Sequence, residues 1–251
     1  MFQSNTEALL LLGWAAICLA PLAPLTVGQS SNASKEREIK VPSVAGEPFL
    51  TLKISAEGRR GVVSVRNAQG TETQSLECPL LRDTVEAKQE ELAAVREQFV
   101  TQFATLDLDF DRHPDLAGIR EFGAKWTRYC VWLYDPKQHI FVKNFLAEQM
   151  ELLTNLSSHE GGLVSSSQMG PTNPWQALYR IAGATGSRPE RQLVPVFSCL
   201  LETTPNGEKP TAIVMTRYEG GRAVVQRKEA ANVDMKAALG MCSSATSQAK
   251  K

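Results

Sequence analysis

From residue 49 onward the chain repeatedly alternates apolar and polar positions. In "FLTLKISA" (residues 49–56), Leu50, Leu52 and Ile54 fall on one side, the period-two spacing of a half-buried strand. "GVVSVRNAQGTETQSL", from Gly61, predicts two strands turning around Asn67 and Gly70. "YCVWLYD" and "HIFVKN" flank Pro136, Lys137 and Gln138 as a hairpin over a short loop. "WQALYRIAG", "QLVPVFSCLLET" and "TAIVMTRYEGGRAVVQRKE" continue the rhythm, the last turning at Glu219, Gly220 and Gly221. The pattern predicts a mainly β, antiparallel fold.

One stretch breaks that rhythm. Residues 83–100, "DTVEAKQEELAAVREQFV", contain no glycine or proline and carry Val85, Leu92, Val95 and Phe99 at helical spacing. Asp83 or Thr84 supplies a cap, and the Glu and Lys positions form the outer face. The expectation is one added helix packed on its own sheet. After Met241 no periodicity is visible, so the pattern predicts a β-rich domain over residues 41–240 and a flexible tail over 241–251.

The opening residues differ from all that follow. "ALLLLGWAAICLAPLAPL" (residues 8–25) is apolar throughout, and no Lys or Arg occurs before Lys35. Pro21 and Pro24 interrupt it before the roughly 20 residues a membrane-spanning helix requires. This predicts a signal peptide over residues 1–28 and a polar, Ser-rich linker over 29–40. The mature chain then starts near Gln29, periplasmic or secreted, with no membrane span after cleavage. Ile17 stands where a lipoprotein signal wants a small residue before Cys18. Without Cys18 an even set remains, Cys78, Cys130, Cys199 and Cys242, with no CxxC spacing. In an oxidising compartment that predicts disulfides, with three pairings open.

Charge narrows the function classes. With 27 basic and 27 acidic side chains there is no net field to draw nucleic acid. His113, His139 and His159 are scattered, and no zinc-hydrolase, nucleophile-elbow, phosphate-loop or dinucleotide pattern is present. His159 beside Glu160 reads as part of a polar loop. "SSSQMGPTNPW" (residues 165–175) has the composition of an exposed connection, or of a binding loop ending in a tryptophan.

The densest chemistry lies in "DLDFDRHPDL", from Asp107 to Leu116. Asp107, Asp109 and Asp111 occupy positions 1, 3 and 5 of a tight loop, the His113 carbonyl position 7, and Asp115 position 9. Such a set converges oxygen ligands on a hard cation, and calcium tolerates its flexible geometry better than magnesium. Arg112 occupies position 6, where glycine is usual, and Gly118 occupies position 12, where a helix-loop-helix hand has a bidentate glutamate. A solvated acidic turn is the alternative.

"DLDFDRHPDL", followed by "YCVWLYDPKQHIFVKNFLAEQMELLTN", resembles a family of bacterial periplasmic proteins. In that family a D-x-[ND]-F-D-G-x-x-D-L loop precedes a Y-x-x-W/Y-L-Y-D-P-x-x-x-x-F-x-x-N strand pair. Its members include the inhibitors of invertebrate-type lysozyme and related immunity lipoproteins that neutralise peptidoglycan hydrolases. The resemblance spans residues 61–228 and is most specific over 106–144. It implies a small propeller-like or barrel-like domain with calcium held by Asp107, Asp109, Asp111, the His113 carbonyl and Asp115. It also implies an exported, non-catalytic envelope protein, an inhibitor of or immunity protein against a lysozyme-like peptidoglycan hydrolase. The alternative from another class is an uncharacterised secreted hydrolase.

Overall fold

Strands whose inward positions alternate build three antiparallel sheets. A computed structural model describes residues 36–41, 49–81, 88–159, 162–169, 173–182, 191–220, 222–230 and 233–248. The first sheet contains β1 (Arg37–Val41), β2 (Leu50–Glu57), β3 (Arg60–Arg66) and β4 (Glu72–Pro79). The second contains β5 (Ala104–Leu106), β6 (Asp115–Gly123), β7 (Trp126–Asp135) and β8 (Ile140–Val142). The third contains β9 (Ser157–His159), β10 (Gly162–Met169), β11 (Asn173–Ala182), β12 (Gln192–Thr203), β13 (Pro210–Glu219) and β14 (Arg222–Glu229). Each sheet pairs its strands in chain order, an up-and-down connection. Among the described residues the sheets are open and no barrel closes.

The predicted alternation is visible in the burial. Leu52 and Ile54 of β2 are fully buried beside Val63 and Val65 of β3. Asn67 shapes the predicted β3–β4 turn: its Oδ1 accepts from the backbone N–H of Gln69 and Thr71, and Gly70 takes φ 80°. The β7–β8 turn forms as read, with Asp135 Oδ1 accepting from Lys137 N at 2.8 Å.

Three helices are present where one was expected: α1 (Gln89–Thr101), α2 (Phe145–Glu151) and α3 (Met235–Gln248). The first lies within the predicted stretch and buries Val95 and Phe99, but it starts at Gln89 with Lys88 as its N-cap rather than at Asp83 or Thr84. Its ring at Phe99 lies against two glycines of different sheets. A Cβ on Gly61 of β3 or Gly118 of β6 would sit 2.5 Å from that ring, so glycine at both positions lets α1 close the core between the first two sheets. Asn144 caps α2 by accepting from Ala147 N at 3.0 Å. Asp234 does the same for α3, its Oδ1 accepting from Ala237 N at 2.7 Å.

Several expectations are corrected. Residues 241–248 belong to α3, with Ala238 and Cys242 buried against the third sheet. The linker assigned to 29–40 ends earlier, because Arg37 to Lys40 pair with β2 as part of β1. Most of 165–175 forms the facing ends of β10 and β11, with Ser165 fully buried. The signal peptide, linker residues 29–35, Asp83, Thr84, Val85, Glu160 and Gly221 lie outside the described residues.

The even cysteine set is paired. Cys78–Cys130 joins β4 to β7 across two sheets, and Cys199–Cys242 ties α3 to β12. Their sequence separations are 52 and 43 residues, for which the chain-entropy model gives about 4 kcal/mol each.

Candidate metal centre

The acidic loop connects β5 to β6, and Leu106 pairs with Asp115 at its base. Its carboxylates organise its own backbone. The Asp107 oxygens accept from Asp111 N and Arg112 N, each at 3.1 Å, and Asp111 Oδ1 accepts from His113 N at 2.9 Å. These side-chain turns fold the loop inward, so that oxygens of Asp107, Asp109 and Asp115 all lie within 4.8 Å of one another.

Asp115 forms the floor of this group and is 0% exposed. One oxygen accepts from Leu108 N at 2.8 Å and Asp109 N at 3.3 Å, and the other accepts from Tyr134 N at 2.9 Å. Tyr134 belongs to the "YCVWLYD" strand, so the two motifs that carry the resemblance touch through this bond. Three N–H donors favour the carboxylate, while burial and then the charge of Asp109 push its pKa up to about 8. Asp109 is pushed up to about 6, first by burial and then by Asp111, with Arg191 acting in the opposite direction.

The remaining predicted residues border this group. Asp111 lies outside the group of three and serves as a loop cap. The His113 ring stacks 5.5 Å from that of Tyr134, with a buried Nδ1 that has no hydrogen-bond partner among the described residues. Arg112 takes φ 73°, a conformation natural to the glycine found there in the resembling pattern, and its side chain is exposed. The positive charge that does reach the carboxylates comes from Arg191, which ion-pairs with Asp109. The Asp109 side chain beneath it is only 4% exposed. Nothing near Arg191 in the sequence announces this pairing.

Chemically, the group is three converging carboxylates with a buried member and one organic cation at its mouth. It offers hard oxygen donors suited to a divalent ion. No helix of the described residues is long and apolar enough to cross a membrane.

No protein-family model matches this chain, and no curated protein matches it. Among solved structures it is similar to one described as "Structure of a Xanthomonas Type IV Secretion System related protein". The identity is 17% and the TM-score 0.44, over 75% of this chain and 92% of the other.

Proposed function

We propose that this is an exported, non-catalytic envelope protein whose loop from Asp107 to Asp115 holds one calcium ion. Its surface binds a macromolecular partner, and the resemblance points to a lysozyme-like peptidoglycan hydrolase. The observation that carries the calcium reading is the convergence of Asp107, Asp109 and Asp115 within 4.8 Å around a fully buried Asp115. Burying so much like charge is unfavourable unless it is protonated or paired. A divalent ion pairs it while leaving the three backbone bonds to Asp115 intact. Asp111 and the His113 carbonyl complete the set by spacing. Buried as it is, Asp115 has no access to a substrate, which favours a structural cation over acid catalysis.

Calorimetric titration of the chelator-treated protein with calcium and, separately, magnesium tests the site. Calcium should release or absorb heat and raise the melting temperature, by a stabilisation of about 2.7 kcal/mol at a hundredfold excess over Kd. Magnesium should do less. Neither heat nor a melting shift at millimolar calcium would leave Arg191 as the cation of this loop and sink the calcium reading. Cell-wall turbidity assays with a panel of lysozymes test the partner. Slowed clearing supports inhibition, and clearing by the protein alone supports a hydrolase.

A further inference from the structure

The third sheet ends on β14, which pairs with β13 on one side and has all eight residues exposed. Ala230, one step past the strand, donates from its N–H to Thr211 O at 3.0 Å. Hydrogen-bonded pairs alternate along an antiparallel ladder. Arg222, Val224, Gln226 and Lys228 therefore turn their N–H and C=O to β13. Ala223, Val225 and Arg227 turn theirs outward, where no backbone partner meets them among the described residues. The fold closes a comparable edge elsewhere: the Gln74 side-chain amide donates to Phe141 O and accepts from Phe141 N on β8. Among the described residues β14 has no such cover. On the face that carries α3, Phe197, Arg217 and Val224 form one row, and Met215 pairs with Gln226 in the next. A cavity of ≈ 260 Å³ lies over these rows, bounded by Ala245 of α3. Val224, at its rim, is 46% exposed. Arg217 and Glu219 ion-pair with each other, whereas Arg222 and Lys228, near the two ends of β14 on the same face, make no ion pair among the described residues.

We propose that β14 takes up an extended acidic segment of a partner protein as an added strand of this sheet. Main-chain bonds to the outward groups of Ala223, Val225 and Arg227 supply the attachment, and alternate side chains of the added strand read the α3 face. An antiparallel segment places one carboxylate opposite Lys228 and another opposite Arg222. Between them, a large apolar side chain lies across Val224 toward the cavity. A second copy of this chain fits less well. Pairing about Val225 would set Arg222 against Lys228, and pairing about Gln226 would bring no unlike charges opposite each other. The surface shares no residue with the acidic loop, and the inference stands apart from the calcium and hydrolase readings.

The test is fluorescence anisotropy of a labelled synthetic heptapeptide titrated with the purified protein in chelator. The peptide carries glutamate at both ends, leucine opposite Val224 and threonine elsewhere. It should bind with a Kd on the order of 100 μM, and exchanging both glutamates for lysine should weaken binding about tenfold or more. Methylating the peptide nitrogen opposite Val225 should abolish binding, while methylating the one opposite Gln226, which faces away from β14, should not. Val225→Pro removes an outward N–H that β13 does not use, so the melting temperature should hold while binding is lost. No anisotropy change at roughly ten times the expected Kd overturns the proposal. So does binding that methylation opposite Val225 leaves unchanged, a result that does not depend on whether Val225→Pro folds. Self-association of the protein in place of peptide binding, abolished by Val225→Pro, would assign the edge to a second copy and overturn the acidic-segment reading.

Discussion

The Arg191 guanidinium ion-pairs with the Asp109 carboxylate 82 residues earlier in the chain, placing an internal cation over the acidic loop. A divalent ion and Arg191 would compete for the same oxygens. Arg191→Gln should therefore tighten calcium binding about three- to tenfold. This corresponds to roughly 1 kcal/mol, a modest figure because the guanidinium is 45% exposed and screened. The same substitution should lower the melting temperature in chelator, since Asp109 then faces Asp111 without relief. An unchanged calcium Kd would show that the two cations do not share Asp109.

The raised pKa values set the pH dependence of the calcium-free protein. An unfolded aspartate titrates near ~3.9. Protonation at Asp109 and Asp115 therefore favours the folded chain. That stabilisation is complete below the unfolded value and is lost as pH rises through about 6 for Asp109 and about 8 for Asp115. Melting temperature in chelator should fall from weakly acidic to alkaline pH, and millimolar calcium should flatten the fall. Asp115→Asn should remove its upper part. At acid pH it should also cost about 2 kcal/mol, because one backbone N–H at Leu108 or Tyr134 then meets an amide NH2. A flat profile of the unsubstituted protein in chelator would contradict the burial argument.

Local patterns were legible wherever local forces decide. Leu52, Ile54, Val63 and Val65 alternate because each strand has one face on the core, and α1 was visible in its missing glycines and spaced apolar positions. The α3 helix was obscured because Gly240 and a run of serines weaken its intrinsic preference, and its amphipathic face matters only once Cys242 meets Cys199. The local signal for it is Asp234, an N-cap directly before "MKAAL". In the acidic loop the D-x-D-x-D spacing marked the right segment. The grouping of Asp107, Asp109 and Asp115, without Asp111, depends on how the loop folds back onto β6. Tyr134 comes from β7 and Arg191 from just before β12, and no spacing rule reaches them.

The Cys199–Cys242 bridge should hold α3 in place. Cys242→Ser together with Cys199→Ser should lower stability by about 2–4 kcal/mol. Hydrogen exchange should then show α3 losing protection while β6 and β7 keep theirs, since the other bridge and the Phe99 core are untouched. Uniform loss of protection would mean that α3 unfolds only with the whole domain.

Arg112 occupies a left-handed position that costs a non-glycine residue about 1 kcal/mol. Arg112→Gly should relieve that strain, with part of the gain offset by the greater freedom of glycine in the unfolded chain. The net expectation is a stabilisation of about 0.5 kcal/mol in chelator. Calcium affinity should change little, because the exposed Arg112 side chain points its charge into solvent rather than at Asp109. A large gain in affinity would show that Arg112, and not Arg191, is the competing cation.

Gly118 offers a test of how α1 is seated. A methyl group there would lie 2.5 Å from Phe99 Cε2 and 3.0 Å from Phe103 Cε2. Both rings are buried, and Gly61 also approaches the Phe99 ring with an equally short clearance. The ring therefore has no free volume into which to retreat, and Gly118→Ala should cost about 2–3 kcal/mol through overpacking. Phe99→Leu in the same background should recover part of the loss by shortening the side chain that the new methyl group meets. If denaturant unfolding shows Gly118→Ala to be neutral, α1 can shift away from β6, and the contact between the helix and the two glycines does not set the packing of the first two sheets.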